Sequence, residues 1–359
     1  MSLLEVRDLR VSFRTPDGVV RAVRGLSFDV DAGRTLGIVG ESGSGKSVSA
    51  QTLLRLTPGA RVSGSARYQG RDLLRMPEED LRRIRGAEIA MIFQDPLSSL
   101  HPLYRVGRQI EEVIRAHEPA VSGARARRRA VEMLGLVGIP EPDRRADDYP
   151  HQFSGGMRQR AMIAMALSLE PRLIIADEPT TALDATVRAQ ILDLMTRLQR
   201  EFGTALIMIT HDLGVIADLA DEVLVMYAGK PAEHAGRRAV LRRQHHPYTK
   251  GLLESVPRAG RGRARLRPIP GQPPSLLDVP PACPFHPRCA YVMDRCRVEE
   301  PPMRPIPPAE PGDEPTGHGS ACWLPVEALG RDPWAERLRE EAMARGRAGC
   351  RDGDGGEGR

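Results

Sequence analysis

Gly40-Glu41-Ser42-Gly43-Ser44-Gly45-Lys46-Ser47 fills the pattern G-x-x-x-x-G-K-[ST] and sits between an apolar run, Leu36 to Val39, and a helical stretch, Val48 to Leu56. Strand, loop and helix in that order are the context in which such a loop works. Its backbone N–H groups must curl around phosphates with the positive end of the helix dipole behind them. Gly40, Gly43 and Gly45 permit the curl, and Ser42 and Ser44 complete it. Lys46 reaches the outer phosphates of a nucleotide, and the Ser47 hydroxyl ligates Mg²⁺. Composition sharpens the reading: of 52 basic residues only Lys46, Lys230 and Lys250 are lysines, so a lysine at this position is not background. A flexible Gly/Ser turn is the bland alternative, and the flanking strand and helix argue against it.

The complementary half of a nucleotide site is Leu173-Ile174-Ile175-Ala176-Asp177-Glu178, an apolar run that ends in two acids. A buried parallel strand delivering carboxylates to its C-terminal edge has this form. Asp177 is expected in the Mg²⁺ shell. Glu178, one residue further on, is the expected general base for an attacking water. Taken alone, two acids after a strand would more often open a helix; the upstream Lys46 reverses that preference.

Three further pieces follow in order. Gln94 closes an apolar strand (Ile89 to Phe93), Phe153-Ser154-Gly155-Gly156-Met157-Arg158-Gln159-Arg160 opens an apolar helix, and His211 follows the strand Ala205 to Thr210. On these motifs the chain resembles the ATP-binding cassette (ABC) family over nearly all of 1–235. The resemblance implies an α/β fold: a P-loop NTPase with a RecA-like core, an antiparallel β subdomain and a helical signature subdomain, followed by a small Cys-rich C-terminal module. It also implies ATP and Mg²⁺ as ligands, Gln94 as the glutamine that contacts the metal or water and links to a membrane partner, and Asp184 as the D-loop aspartate. By the same resemblance His211 is the switch histidine and Phe13 the aromatic that stacks on adenine. A core role for Phe13 stays open.

Ser154 stands where a helix N-cap would, and Gly155 and Gly156 let bare amides face outward, which suits an anion. In the family this surface faces the phosphate loop of a second cassette. One phosphate loop and one signature per chain therefore imply a dimer, with itself or with a sister subunit, closed by ATP and opened by hydrolysis. Phe153 and Met157 depart from the commoner L-S-G-G-Q, but the serine and both glycines are kept.

With 359 residues, 41% of them hydrophobic, the chain is long enough for a nucleotide-binding core plus an appended region. Its net charge of +5 comes from runs such as Arg125 to Arg129 and Arg258 to Arg267. Such runs are solvated faces and linkers at least as often as nucleic-acid contacts. Aromatic residues are only 4% of the chain, which argues against a stacking surface for single strands, so no nucleic-acid partner is expected. No segment of about 18 consecutive apolar residues occurs, and the first residues lack a signal-peptide pattern. The expectation is a peripheral protein on the cytoplasmic face of the cell membrane, with two separate transmembrane permease subunits and an extracytoplasmic substrate-binding protein as the family's further partners. Asp95 to Gln109, expected at the docking surface, closely resembles the ATPases of peptide and nickel importers, as does His246 to Leu253. The expected organisation is 1–235 for the cassette, 236–330 for the importer-type module with a Pro/Arg-rich linker (257–281), and 331–359 for a tail.

Cys283, Cys289, Cys296 and Cys322 fall within 40 positions and are separated by five, six and 25 residues. A cluster in Pro-rich, polar surroundings suggests a metal staple. Disulfides do not suit a reducing cytosol, and paired C-x-x-C arms typical of zinc are lacking. By residue chemistry a four-iron cluster, zinc and unligated thiols all remain open; the resemblance to peptide-importer ATPases favours 4Fe-4S over Zn²⁺. Cys350 is expected to bind nothing. The leading reading is an ATP-hydrolysing importer subunit for dipeptides or oligopeptides. The alternatives are import of nickel or another small solute, and a soluble cassette ATPase acting on nucleic acid or ribosomes.

Overall fold

The computed structural model describes residues 2–95, 99–181, 183–255, 268–307, 317–326 and 328. The expected tail with Cys350, Pro96 to Ser98 of the docking segment, and 257–267 of the expected linker lie outside these residues. Burial follows the apolar runs: β3 (Thr35–Val39), β7 (Leu173–Asp177) and β8 (Ala205–Thr210) are buried along their whole length. Continuous apolar strands of this kind need cover on both faces, and a parallel sheet supplies it. With β6 (Ile89–Ile92) and β9 (Glu222–Tyr227) they pair in parallel in the order β9-β3-β8-β7-β6. All five therefore end at one edge. The phosphate loop follows β3, the Asp177-Glu178 pair closes β7, His211 follows β8 and Gln94 lies two residues beyond β6.

A second, antiparallel sheet is built on β1 (Ser2–Thr15) and β2 (Gly18–Asp31), joined by a turn whose ends, Thr15 and Gly18, are paired. In chain order β4 (Arg61–Tyr68) and β5 (Arg71–Asp72) complete it. Between the two sheets lies one apolar cluster that includes Leu4, Val6, Leu26, Ile38, Leu53 and Ile207.

The helical region repeats its apolar residues every fourth position. Val106, Ile110 and Ile114 of the helix Val106–His117 are buried, as are Ala126, Ala130 and Leu134 of Gly123–Leu136. This stripe buries one face of each helix and leaves the other polar. Part of the Arg125 to Arg129 run is spent on ion pairs there: Arg127 with Glu111 and Asp147, Arg129 with Glu118 and Glu170.

Beyond 235 the chain stays in the same sheet. β10 (Lys230–Gly236) runs antiparallel to β9, and two short strands, β11 (Arg304–Pro305) and β12 (Gly319–Ser320), extend it in the order β10-β12-β11. Glu233 on β10 is fully buried and ties the added strands down. Its carboxylate accepts hydrogen bonds from the backbone N–H groups of His245 (2.5 Å) and His246 (3.0 Å), and lies 2.7 Å from His318 Nε2. Burial would raise the Glu233 pKa, but these bonds outweigh it and hold it below the ordinary value.

His246 is the neutral counterpart. Its Nδ1 accepts from the Tyr248 N–H at 3.1 Å, and burial pushes its pKa from 6.5 down to about 4. The unfolded chain therefore binds a proton at this histidine that the folded chain refuses, so its contribution to stability is lost as pH falls from 6.5 towards 4. Asn at this position keeps a short acceptor and removes the titration. Between pH 7 and pH 5, wild type should lose about 2 kcal/mol more stability than His246→Asn, read from denaturant unfolding at both pH values. Parallel losses in the two proteins would show that His246 is not the group responsible.

Candidate nucleotide site

The phosphate loop, β1–β2 and the end of the parallel sheet enclose a cavity of about 910 Å³. Gly45 shapes its floor. At φ +99° it takes a backbone that L side chains avoid, and a Cβ there would lie 2.3 Å from the Ala22 carbonyl oxygen. Lys46 is 4% exposed. Its Nζ donates to the loop carbonyls of Gly40 (2.8 Å) and Glu41 (3.0 Å). Burial lowers the Lys46 pKa, against the opposing pull of Glu178, Asp177 and Glu41. An ammonium held in this way is poised for an anion that would satisfy it better than two carbonyls.

Ser47 Oγ donates to Asp177 Oδ1 at 2.8 Å. The Asp177 carboxyl is buried, which raises its pKa; the Ser47 bond opposes that, and the neighbouring Glu178 adds to it. Two hard oxygens in contact beside a phosphate loop fit Mg²⁺, which takes few protein ligands and completes its shell with water and phosphate.

Glu178 adopts φ +46°. A non-glycine residue there costs roughly 1–3 kcal/mol, and its N–H is held on the Ile209 carbonyl at 2.9 Å. The strained backbone turns the side chain into the cavity, where Oε2 accepts from Thr181 Oγ1 (2.8 Å) and lies 3.2 Å from His211 Nδ1. Gln94 and His211 also line the cavity, as does Phe13, paired across the hairpin with Val20. Phe13 packs partly against the apolar cluster between the sheets, so its ring has both a core face and a cavity face.

The signature residues are elsewhere. Ser154 caps the helix Gly155–Leu167, its Oγ accepting from the Met157 N–H at 3.3 Å. Ser154 and Gly155 are exposed, and nothing lies within 4 Å of where a Gly155 Cβ would be. Gly156 differs, because a Cβ there would meet Val187 Cγ1 at 2.8 Å. Asp184 caps the next helix, Ala185–Phe202, through the N–H groups of Thr186 and Val187, both at 3.0 Å. None of Ser154, Gly155, Gly156 or Asp184 lines the cavity that holds Lys46.

The four cysteines are 7–9% exposed, unpaired by disulfides, and lie within the large apolar cluster of the helical side. The Cys283 N–H donates to the Cys296 carbonyl at 3.0 Å. Burial raises the Cys283 thiol to about 11 and Cys322 to about 12 and also raises Cys289, and other cysteines of the set add to each shift. Among the described residues no group of three or more His, Cys, Asp or Glu side chains is arranged to hold a metal ion.

Several contacts escape a reading of the sequence. Glu41 is held by Arg288 and by Tyr248, Thr181 touches Glu178, and Leu252, Ile269 and Leu276 add an apolar wall to the cavity. The charged residue inside the phosphate loop was the one visible signal; its partner lies 247 positions away.

Comparison with known proteins agrees with this geometry. The "ABC transporter" family profile matches residues 23–181, and the "Oligopeptide/dipeptide transporter, C-terminal region" profile matches 232–296. The oligopeptide transport ATP-binding protein OppD of Salmonella typhimurium is 52% identical over 91% of this chain and 95% of its own length. This chain belongs to the ABC transporter family of ATP-binding proteins. The dipeptide transport ATP-binding protein DppD of Bacillus subtilis is also 52% identical, over 82% of this chain and 88% of its own. Among solved structures, the ATP-binding cassette MJ0796, described as a dimer in a post-hydrolysis state bound to ADP and Pi, matches with a TM-score of 0.60 and 27% identity. The match covers 66% of this chain and 99% of that one. Like its family, this ABC protein binds and hydrolyses ATP. Asp177→Asn should raise the Mg²⁺ concentration for half-maximal hydrolysis about tenfold or more while leaving metal-free ATP binding within about threefold. An unchanged Mg²⁺ requirement in that titration would remove Asp177 from the metal shell.

Proposed function

We infer that this chain is the ATP-hydrolysing subunit of an oligopeptide or dipeptide importer, acting as one of a pair of cassettes docked on separate membrane-spanning permeases. The observation that carries the reading is the 52% identity to the oligopeptide transport protein over nine-tenths of both chains, together with the matched transporter C-terminal region.

Lys46 and the loop amides bind the β- and γ-phosphates, and Phe13 takes the adenine. Ser47, Asp177 and Gln94 would hold Mg²⁺, which would supply positive charge against the phosphates. Glu178 accepts the proton of the attacking water. Thr181 and His211 hold its carboxylate in place, and His211 faces the γ-phosphate. Ser154, Gly155, Gly156 and Asp184 act on the nucleotide of the partner cassette; the support is that Ser154, Gly155 and Asp184 are exposed and that none of the four lines the Lys46 cavity.

In this reading separate permeases span the membrane and this subunit sits at their cytoplasmic face; among the described residues no helix is long and apolar enough to cross a membrane. Leu103 (77% exposed) and Tyr104 (45%) offer them an apolar contact. Gln109 fixes that loop, accepting from the His101 N–H and donating to the carbonyls of His101 and Tyr104. An extracytoplasmic peptide-binding protein would supply the cargo.

For Cys283, Cys289, Cys296 and Cys322 the proposal is a 4Fe-4S cluster. Four buried thiols that sense one another suit a soft ligand set. Bound there, the cluster would staple the segments that carry the four cysteines.

Co-purification of the tagged chain should bring down two multi-span subunits. Reconstituted with a peptide-binding protein, the complex should take up peptide only with ATP. Glu178→Gln should bind Mg-ATP normally but cut turnover at least about 100-fold; near-normal turnover would rule out Glu178 as the base. Anaerobically purified protein should be brown, with broad absorption near roughly 400 nm, and Cys289→Ser should bleach it. A colourless protein with stoichiometric zinc would overturn the cluster.

A further inference from the structure

Glu41, the first variable residue of the phosphate loop, is fixed at three points. Its N–H donates to the Tyr248 hydroxyl at 2.7 Å, its carbonyl accepts from Lys46 Nζ at 3.0 Å, and its carboxylate is gripped by Arg288. The grip is bidentate: Nη1 to Oε2 at 2.6 Å and Nη2 to Oε1 at 2.9 Å. Arg288 is 5% exposed and donates also to the Tyr227 hydroxyl (3.2 Å) and the Pro270 carbonyl (2.8 Å). Its guanidinium lies 5.8 Å from the Tyr227 ring and 5.9 Å from the Phe285 ring. A planar fork is the side chain that can do all this at once, since its donors are pre-set for a carboxylate and its faces suit aromatic rings.

A carboxylate here is otherwise a liability. Glu41 belongs to the loop whose purpose is to attract a triphosphate, and it lies within the electrostatic reach of Lys46. Left unpaired, it would repel the γ-phosphate end of ATP and compete with it for the lysine. It is Arg288, from the C-terminal region and not the cassette, that cancels this charge.

We propose that Arg288 is a positioning residue of the nucleotide site: it neutralises and immobilises Glu41, so that the C-terminal region sets the ATP affinity of the phosphate loop. The proposal rests on that loop being the ATP cradle. Lys46→Met checks this separately, because it should abolish Mg-ATP binding whether or not Arg288 matters.

The test is Mg-ATP titration of the full chain by calorimetry, with KM and kcat from the assembled complex. Arg288→Met should weaken Mg-ATP binding about tenfold and raise KM to match, with kcat within about threefold, because the change is in ground-state binding. The double variant Glu41→Gln/Arg288→Met removes both charges and should return affinity to within about threefold of wild type. Arg288→Lys, which keeps the charge but not the fork, should raise KM by an intermediate factor of about three. If Arg288→Met does not fold, Arg288→Lys and the double variant carry the test. Wild-type affinity in Arg288→Met, an unchanged KM in Arg288→Lys, or a double variant as weak as about one-tenth of wild type would each overturn the proposal.

Discussion

The hydrogen bond from Ser47 to Asp177 is the contact on which the site depends, because it joins two strands that do not touch. β3 and β7 are separated by β8 in the sheet order. The serine reaches across because it stands on the first turn of the helix after β3, above the strand ends, and Asp177 is the last residue of β7. The separation leaves a slot, and the residue after β8, His211, enters it beside Glu178. Parallel pairing is what brings three strand ends to one edge. One register shift in β7 would turn its carboxylate to the opposite face.

The same logic explains how the C-terminal region joins the molecule. It does not stand apart on a linker: β10 and β12 lengthen the sheet, and Tyr227, Tyr248 and Phe285 pack with ring centroids 4.6–5.4 Å apart behind the phosphate loop. The cysteines lie in that apolar continuity. Burial makes the thiolates of Cys283, Cys289 and Cys322 costly, which keeps them inert to exchange unless a cation compensates the charge. A polar, Pro-rich sequence around them predicts little core of their own, and the core they share is supplied by the cassette.

Elements governed by neighbouring residues were legible in the sequence. The phosphate loop, the apolar strands with their acidic ends, the Ser154 cap and His211 all declare themselves within about ten positions, because local geometry and local chemistry decide them. Helix and strand ends shift by a few residues, as end fraying makes normal; the helix after the loop ends at Leu53 instead of Leu56. What stayed hidden depends on long closure. The Arg288–Glu41 pair spans 247 positions and the Glu233–His318 contact 85, and no period or spacing encodes them. The strain at Glu178 is hidden for a different reason: φ +46° on a glutamate is imposed by tertiary contacts and opposes the residue's own preference.

Gly156 packs the start of the signature helix onto the helix that Asp184 caps. The space a side chain would fill there is taken by Val187, whose N–H is held by Asp184. Asp184 lies three residues beyond Thr181, which touches Glu178. The start of the signature helix and the Asp184 cap are thus joined by packing and a hydrogen bond, and Thr181 holds the Glu178 carboxylate separately. Close-packed groups shift together more readily than they deform. A load applied at Ser154 and Gly155 by an approaching surface would therefore be felt at Val187 and the Asp184 cap. An exposed serine cap and a bare glycine gain a mechanical meaning from this: they are the outer end of a packed contact that reaches the start of the next helix.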